Sequence, residues 1–397
     1  MPAILTPPTQ PSREANLTAQ FLSVRKLTEE ICAPLQTEDY VVQPTGDVSP
    51  PKWHLGHTTW FFETLILKTY RECYAEYNPN FNFVFNSYYE SLGTRVVRTQ
   101  RGNLSRPTVD EIFRYRKHVD NAMVALLQQP LADDLHYLIT LGCHHEQQHQ
   151  ELLWTDIKFI LGHNPLLPAY DENIHIEITA PPSPPSSVAM MEGVYEIGYE
   201  GDAFCYDNEL GRHKVYLPSY AIATSLITNE EYLAFIADGG YRNFVHWHAE
   251  GWDWVKTQGI EAPLYWYRQH DQWFHYTLRG FVPVDLQQPV THVSYYEAAA
   301  FAVWSGKRLP TEFEWEAAAP NFAWGHRWEW TESAYLPYPG FVRAPGAVGE
   351  YNGKFMVNQK VLRGASAFTS PEHGRITYRN FFHPHLRWQL TGIRLAH

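Results

Sequence analysis

The stretch APPSPPSS, from Ala180 to Ser187, places four prolines within eight residues. Proline fixes φ and removes a backbone donor, so such a run reads as a linker rather than as helix or central strand. It separates two parts of the chain with different sequence patterns. A length of 397 residues is that of two domains. The expected division is residues 1–165, a linker over 166–187, and 188–397.

The first part reads as helices. In REANLTAQFLSVRKLTEEICAPL the apolar residues Leu17, Phe21, Val24, Leu27 and Ile31 recur at close to helical spacing. A second helix is expected from near Ser49, with Pro50 and Pro51 tolerated in its first turn, through KWHLGHTTWFFETLILKTY. A third starts at Thr108, where Glu111 completes a capping-box pattern. The fourth spans roughly Ala132 to Leu161 and stops at Gly162. Four such helices, with a long crossover between the second and third, predict a four-helix bundle. Beyond the linker come short alternating runs such as HKVYLPSYAIAT, many Gly and Pro turns, and one helix capped at Ser294. The whole is an α+β two-domain chain.

Bulk properties exclude some functions. A net charge of -12 argues against a nucleic-acid partner, which calls for a basic surface. Cys32, Cys73, Cys143 and Cys205 lie far apart with no C-x-x-C pair, so neither a disulfide framework nor a cysteine zinc site is expected. No apolar run reaches membrane-span length and the first residues show no signal-peptide pattern, so a soluble cytoplasmic protein with no membrane partner is expected.

The chemistry concentrates in CHHEQQHQELLWTDI, Cys143 to Ile157. On a helix His145 and His149, four apart, share a face and can reach one metal ion. The segment reads H-E-x-x-H, the zinc-protease pattern, but His149 is followed by Gln150, Glu151, Leu152 and Leu153, so the extended motif is absent. A third ligand is expected from WHLGHTTWFFE, where His54 and His57 sit among apolar residues of the second helix. Spacing does not choose between those two. Three neutral imidazoles suit zinc and non-heme iron(II) equally, so ligand type leaves the metal open.

PKWHLGHTTWFFET, FNSYYE, RGNLSRPTVDEIFRYRKHVD and HHEQQHQELLWTDIK together resemble the ergothioneine-biosynthesis sulfoxide synthases, the EgtB family. The second half is similar to their C-terminal domain in PVTHVSYYEAAAFAVWSGKRLPTEFEWE, WEWTESAY, VLRGAS and YRNFFHPHLRWQLTGIRLA. The resemblance implies a DinB-like four-helix bundle followed by a formylglycine-generating-enzyme-like domain of C-type-lectin type. It implies an iron(II) enzyme that uses dioxygen to join a thiol to hercynine and to oxidise the sulfur to a sulfoxide.

Carried over position by position, the resemblance puts the iron ligands on His57, His145 and His149. It thereby prefers His57 to His54, and leaves His54 and His144 to packing or supporting roles. Glu146 is then expected to brace a neighbour, for example by accepting a ring N–H. Gln148 and Asn380 are the implied hercynine contacts, with Phe381, Phe382 and Trp388 as aromatic candidates for the trimethylammonium group. Tyr88 and Tyr89 look like the tyrosine pair of one branch of the family, a proton source for the oxygen chemistry. Arg95 and Arg98 are spaced to hold the carboxylate of the thiol partner. The mycobacterial branch, which uses γ-glutamylcysteine, has an aspartate two residues after the asparagine; here Phe382 stands there, and free cysteine is the expected donor. Cys205 alone lies in the second half, so the cysteine-pair copper chemistry of formylglycine-generating enzymes is not expected. Competing expectations are a selenoneine or ovothiol-type synthase with the same iron site, a DinB-like zinc hydrolase or thiol transferase, and a lectin-like binding module with a structural metal.

Overall fold

The computed structural model describes residues 13–87, 89–178, 186–343, 349 and 352–397. The described residues up to Ser87, together with Thr94–Gln150, form one compact unit; those between Tyr89 and Gly93, together with Glu151–His397, form the other.

Four long helices dominate the N-terminal half: α1 (Arg13–Cys32), α2 (Pro51–Phe61), α3 (Val109–Leu127) and α4 (Asp133–Gly162). The division between the units falls inside α4, after Gln150. In α1, Leu17, Phe21, Val24 and Ile31 are buried as the spacing predicts. Between them the inward face is polar: Arg25 and Thr28 are also buried. Every residue of α2 is buried, and its entry uses Pro50 and Pro51 where a missing N–H costs nothing. Thr108 caps α3, its Oγ1 accepting the Glu111 N–H at 3.2 Å.

One departure from the expected helices lies after α2. The helix runs into a π-type stretch, Phe62–Leu67, and then a last α turn, Lys68–Tyr70. Near the start of this wide turn Glu63 is buried and accepts from Tyr115 Oη at 2.6 Å, Tyr74 Oη at 2.8 Å and the Tyr77 N–H at 3.0 Å. Nothing in residue spacing announces such a turn, because it depends on partners from the crossover and from α3.

The C-terminal unit is built from short strands. β1 (Ser187–Met190) pairs with β4 (Tyr220–Ala223), and β2 (Gly193–Ile197) with β3 (His213–Leu217). β5 (Trp266–Gln269), β6 (Gln272–Thr277) and β7 (Gly280–Pro283) form an antiparallel meander. The largest sheet has the order β10-β9-β8-β11, with β8 (Trp328–Ala334), β9 (Lys360–Gly364), β10 (Asn380–Phe382) and β11 (Thr391–Gly392). Among the described residues four helices accompany the strands: α5 (Asn229–Ala237), α6 (Ala249–Gln258), α7 (Tyr295–Trp304) and α8 (Glu312–Ala318). Ser294 caps α7 reciprocally with Glu297, as the sequence predicts.

Several buried charges in this unit are paired, which offsets the cost of burying them. Arg394 grips Glu329 with two bonds of 2.6 and 2.7 Å. Arg379, the residue before β10, does the same to Glu312 at 2.8 and 3.0 Å. Strand β10 therefore leaves a fixed point.

Candidate metal centre

His57 faces inward from α2, and His145 and His149 from α4, within the N-terminal unit. Among the described residues these three form a group whose ligand atoms all lie within 4.8 Å of one another. Their ring centroids make a near-equilateral triangle with sides of 4.7, 4.7 and 5.0 Å. His144 is buried but is not part of that group.

Each ring is held by a different neighbour. His57 Nδ1–H donates to the Phe85 carbonyl oxygen at 2.6 Å. A carbonyl can only accept, so the proton of neutral His57 is on Nδ1 and the lone pair is on Nε2. His149 Nδ1 lies 2.9 Å from His54 Nδ1, and the ring of His145 stacks on Phe61 at 4.7 Å. The buried Nδ1 of His145 has no hydrogen-bond partner among the described residues.

The approach of Phe85 to α2 requires Gly56. A Cβ at that position would lie 2.2 Å from the Phe85 ring, so any larger residue would push away the segment whose carbonyl holds His57.

The electrostatics favour neutral rings. Burial lowers the pKa of His145 to about 4, against the opposing pull of Glu146. Burial, followed by the charge of His145, puts His57 and His149 well below the usual imidazole value. Three desolvated, uncharged nitrogen donors with no carboxylate among them fit a divalent transition-metal ion.

Glu146 is not where a protease base would be, and it does not brace a histidine either. Its carboxylate accepts from Arg25 Nη1 at 2.8 Å, Thr28 Oγ1 at 2.7 Å and Arg116 Nη2 at 3.1 Å. Burial would raise its pKa, but the two arginines overcome that and hold it below the usual carboxylate range. The expected ring N–H contact is thus replaced by an ion-pair network linking α1, α3 and α4. The polar interruption of the α1 stripe serves this network: Arg25 and Thr28 face inward because Glu146 needs them.

The remaining expected site residues fall as follows. Gln148 is half-buried on α4. Arg95 and Arg98 are half-buried on the crossover, where Arg98 Nη2 donates to the Asp47 carbonyl at 2.5 Å. Asn380, Phe381 and Phe382 form β10 and are half-buried; Phe381 stacks on Tyr335 at 4.1 Å and Phe382 meets Trp388 edge-on at 6.0 Å. Tyr89 is buried and belongs to the C-terminal unit. Tyr88 lies outside the described residues.

Sequence reasoning passed over the residues that surround His57. Trp53 and Trp60 stack on its two faces, at 4.6 Å and 5.5 Å. Trp53 sits four residues before it and Trp60 three after, the spacings that put them on its helix face.

The fold and this cluster define a two-domain α+β protein with a DinB-type helical domain, carrying three histidines that could hold a metal ion, and a formylglycine-generating-enzyme-type domain. Residues 20–153 match the DinB superfamily, and residues 176–327 match the sulfatase-modifying factor enzyme 1-like domain. Hercynine oxygenase of Mycolicibacterium smegmatis is 30% identical, over 88% of this chain and 91% of that protein. Hercynine oxygenase of Mycolicibacterium thermoresistibile is 28% identical, over 96% and 94%. A formylglycine-generating enzyme of Thermomonospora curvata is 31% identical over 35% of this chain and 52% of its own length. The chain belongs to the hercynine oxygenase (EgtB) family. No helix among the described residues is long and apolar enough to cross a membrane.

Proposed function

We propose that this chain is an iron(II)- and dioxygen-dependent sulfoxide synthase that joins hercynine to cysteine, with His57, His145 and His149 as the metal ligands. The observation that carries the proposal is the convergence of three neutral imidazoles from two helices within 4.8 Å. Iron(II), when bound there, would supply the activation of dioxygen needed to form the carbon–sulfur bond and oxidise the sulfur.

The protein's own groups do the rest. The Phe85 carbonyl fixes the His57 tautomer so that Nε2 is presented. Glu146, locked between Arg25 and Arg116, keeps α4 in place and takes no part as a base. Gln148 is next to His149 on α4, and its amide is assigned to the hercynine imidazole; Asn380 is assigned to the same substrate, and Phe381 and Phe382 to its trimethylammonium face. The family resemblance supports these assignments. Arg95 and Arg98 are assigned to the carboxylate of the sulfur donor. One of Tyr88 and Tyr89 holds the proton delivered to reduced oxygen. The apolar Phe382 favours a short donor, which supports cysteine over γ-glutamylcysteine.

Anaerobic loading of the metal-free chain with iron(II), followed by oxygen uptake and product mass spectrometry, tests this. The donors to compare are cysteine, γ-glutamylcysteine and a selenosugar, each with hercynine. Oxygen-dependent formation of hercynylcysteine sulfoxide with cysteine is the expected result. A preference for another donor overturns the cysteine assignment, and oxygen-independent turnover with zinc overturns the oxygenase reading.

A further inference from the structure

We propose that Arg101 is a positioning residue of the histidine site, acting on His57 through Trp53. The guanidinium carbon of Arg101 lies 3.3 Å from the centroid of the Trp53 ring. Trp53 in turn lies nearly parallel to His57, at 13° and 4.6 Å. On the far side Trp60 closes the column at 15° and 5.5 Å. Guanidinium, indole, imidazole and indole thus form four successive layers, with a metal-ligating ring as the third.

The column sets the plane of His57, and the Phe85 carbonyl sets which edge points inward. Neither constraint suffices alone. Two flat neighbours accept both orientations related by a half-turn about the Cβ–Cγ bond, which exchanges Nδ1 with Cδ2 and Nε2 with Cε1. A single hydrogen bond permits the ring to rock. Together they leave one orientation, the condition for a ligand that need not reorganise when metal binds.

Arg101 ties the parts of this arrangement together. It is buried, and its Nη1 donates to Ser49 Oγ at 2.8 Å and its Nη2 to Ser87 Oγ at 3.1 Å. Ser49 immediately precedes the prolines that start α2, and Ser87 is two residues past Phe85. One side chain therefore holds the start of the His57 helix, the segment carrying the His57 acceptor, and the outer face of Trp53. The outer layers are fixed as well: Trp53 Nε1–H donates to the Val84 carbonyl at 3.2 Å, and Trp60 Nε1–H to Asn82 Oδ1 at 2.9 Å. A flat guanidinium can stack and donate to two hydroxyls at once, which a lysine ammonium cannot.

This role rests on His57 being a metal ligand. The test uses the full chain, metal-free, with Co(II) as the probe, and reads both affinity and the cobalt ligand-field spectrum. Arg101→Gln is expected to weaken Co(II) binding about tenfold or more and to shift the cobalt bands. Arg101→Lys is expected not to rescue either readout, because it keeps the charge and loses the stack. Should Arg101→Gln fail to fold, Ser87→Ala, which removes one anchor, is expected to shift the bands in the same direction by less. Folded variants with the affinity and spectrum of the unsubstituted chain overturn the role of Arg101 and leave the metal site standing. Absence of Co(II) binding by the unsubstituted chain overturns the metal reading itself, and this role with it.

Discussion

His54 Nδ1 lies 2.9 Å from His149 Nδ1, so the histidine passed over as a ligand is the hydrogen-bonded partner of a proposed one. If His149 held the metal through Nε2, its Nδ1–H would be the donor and His54 the acceptor. The arrangement repeats on His149 what the Phe85 carbonyl does on His57.

His54→Ala is accordingly expected to lower metal affinity by about 10–100-fold, the usual cost of losing an outer partner of a ligating imidazole. Competition with a chromophoric chelator measures it. Unchanged affinity would show that the contact is packing only.

Glu146→Gln removes the fully buried carboxylate shared by Arg25 and Arg116, which keep Asp120 and Glu29 as charged partners, so the general cost of breaking a buried pair is an upper bound here. Breaking one side of a fully buried ion pair costs about 3–5 kcal/mol. Chemical denaturation of the metal-free chain is the measurement. A loss of turnover at full stability would instead restore Glu146 to a chemical role.

The low pKa of His145 has a stability consequence whose sign is fixed. The unfolded imidazole takes up a proton near pH 6.5, and the folded one only near about 4. Between those values the unfolded state binds more protons, so stability falls as the pH is lowered through that window and levels off below it. The contribution is roughly 3 kcal/mol. Denaturation midpoints of the metal-free chain between pH 4 and 7 should show this slope, and His145→Gln should reduce it. Parallel slopes in the two proteins would contradict it.

Tyr88→Phe and Tyr89→Phe, made singly, are expected to differ. For one of them the products should shift from sulfoxide toward plain thiol oxidation, read by mass spectrometry. The same product ratio in both variants and in the unsubstituted chain would remove the pair from the mechanism.

Much of this was legible in the sequence because helices report their faces locally. The Leu17, Phe21, Val24 and Ile31 stripe, the caps at Thr108 and Ser294, and the four-residue spacing of His145 and His149 each need only neighbouring residues to be read. The π-type turn at Phe62–Leu67, the Arg25–Glu146–Arg116 network and the Arg101–Trp53–His57–Trp60 column do not. Each depends on partners tens of residues away, and charged or aromatic residues look the same in sequence whether they face solvent or a site. Glu146 illustrates the difficulty. Its motif suggests a base, its neighbours suggest a brace for a histidine, and only the opposite face of α1 shows that it is the centre of an ion-pair network.

The proposed site holds one iron on three imidazoles, and X-ray absorption spectroscopy of the anaerobically loaded chain, beside His149→Ala, examines those ligands themselves. The expected result is one iron per chain with three imidazole ligands, and loss of that iron in the variant. Iron with a different imidazole count, or iron retained by His149→Ala at full stoichiometry, would contradict it.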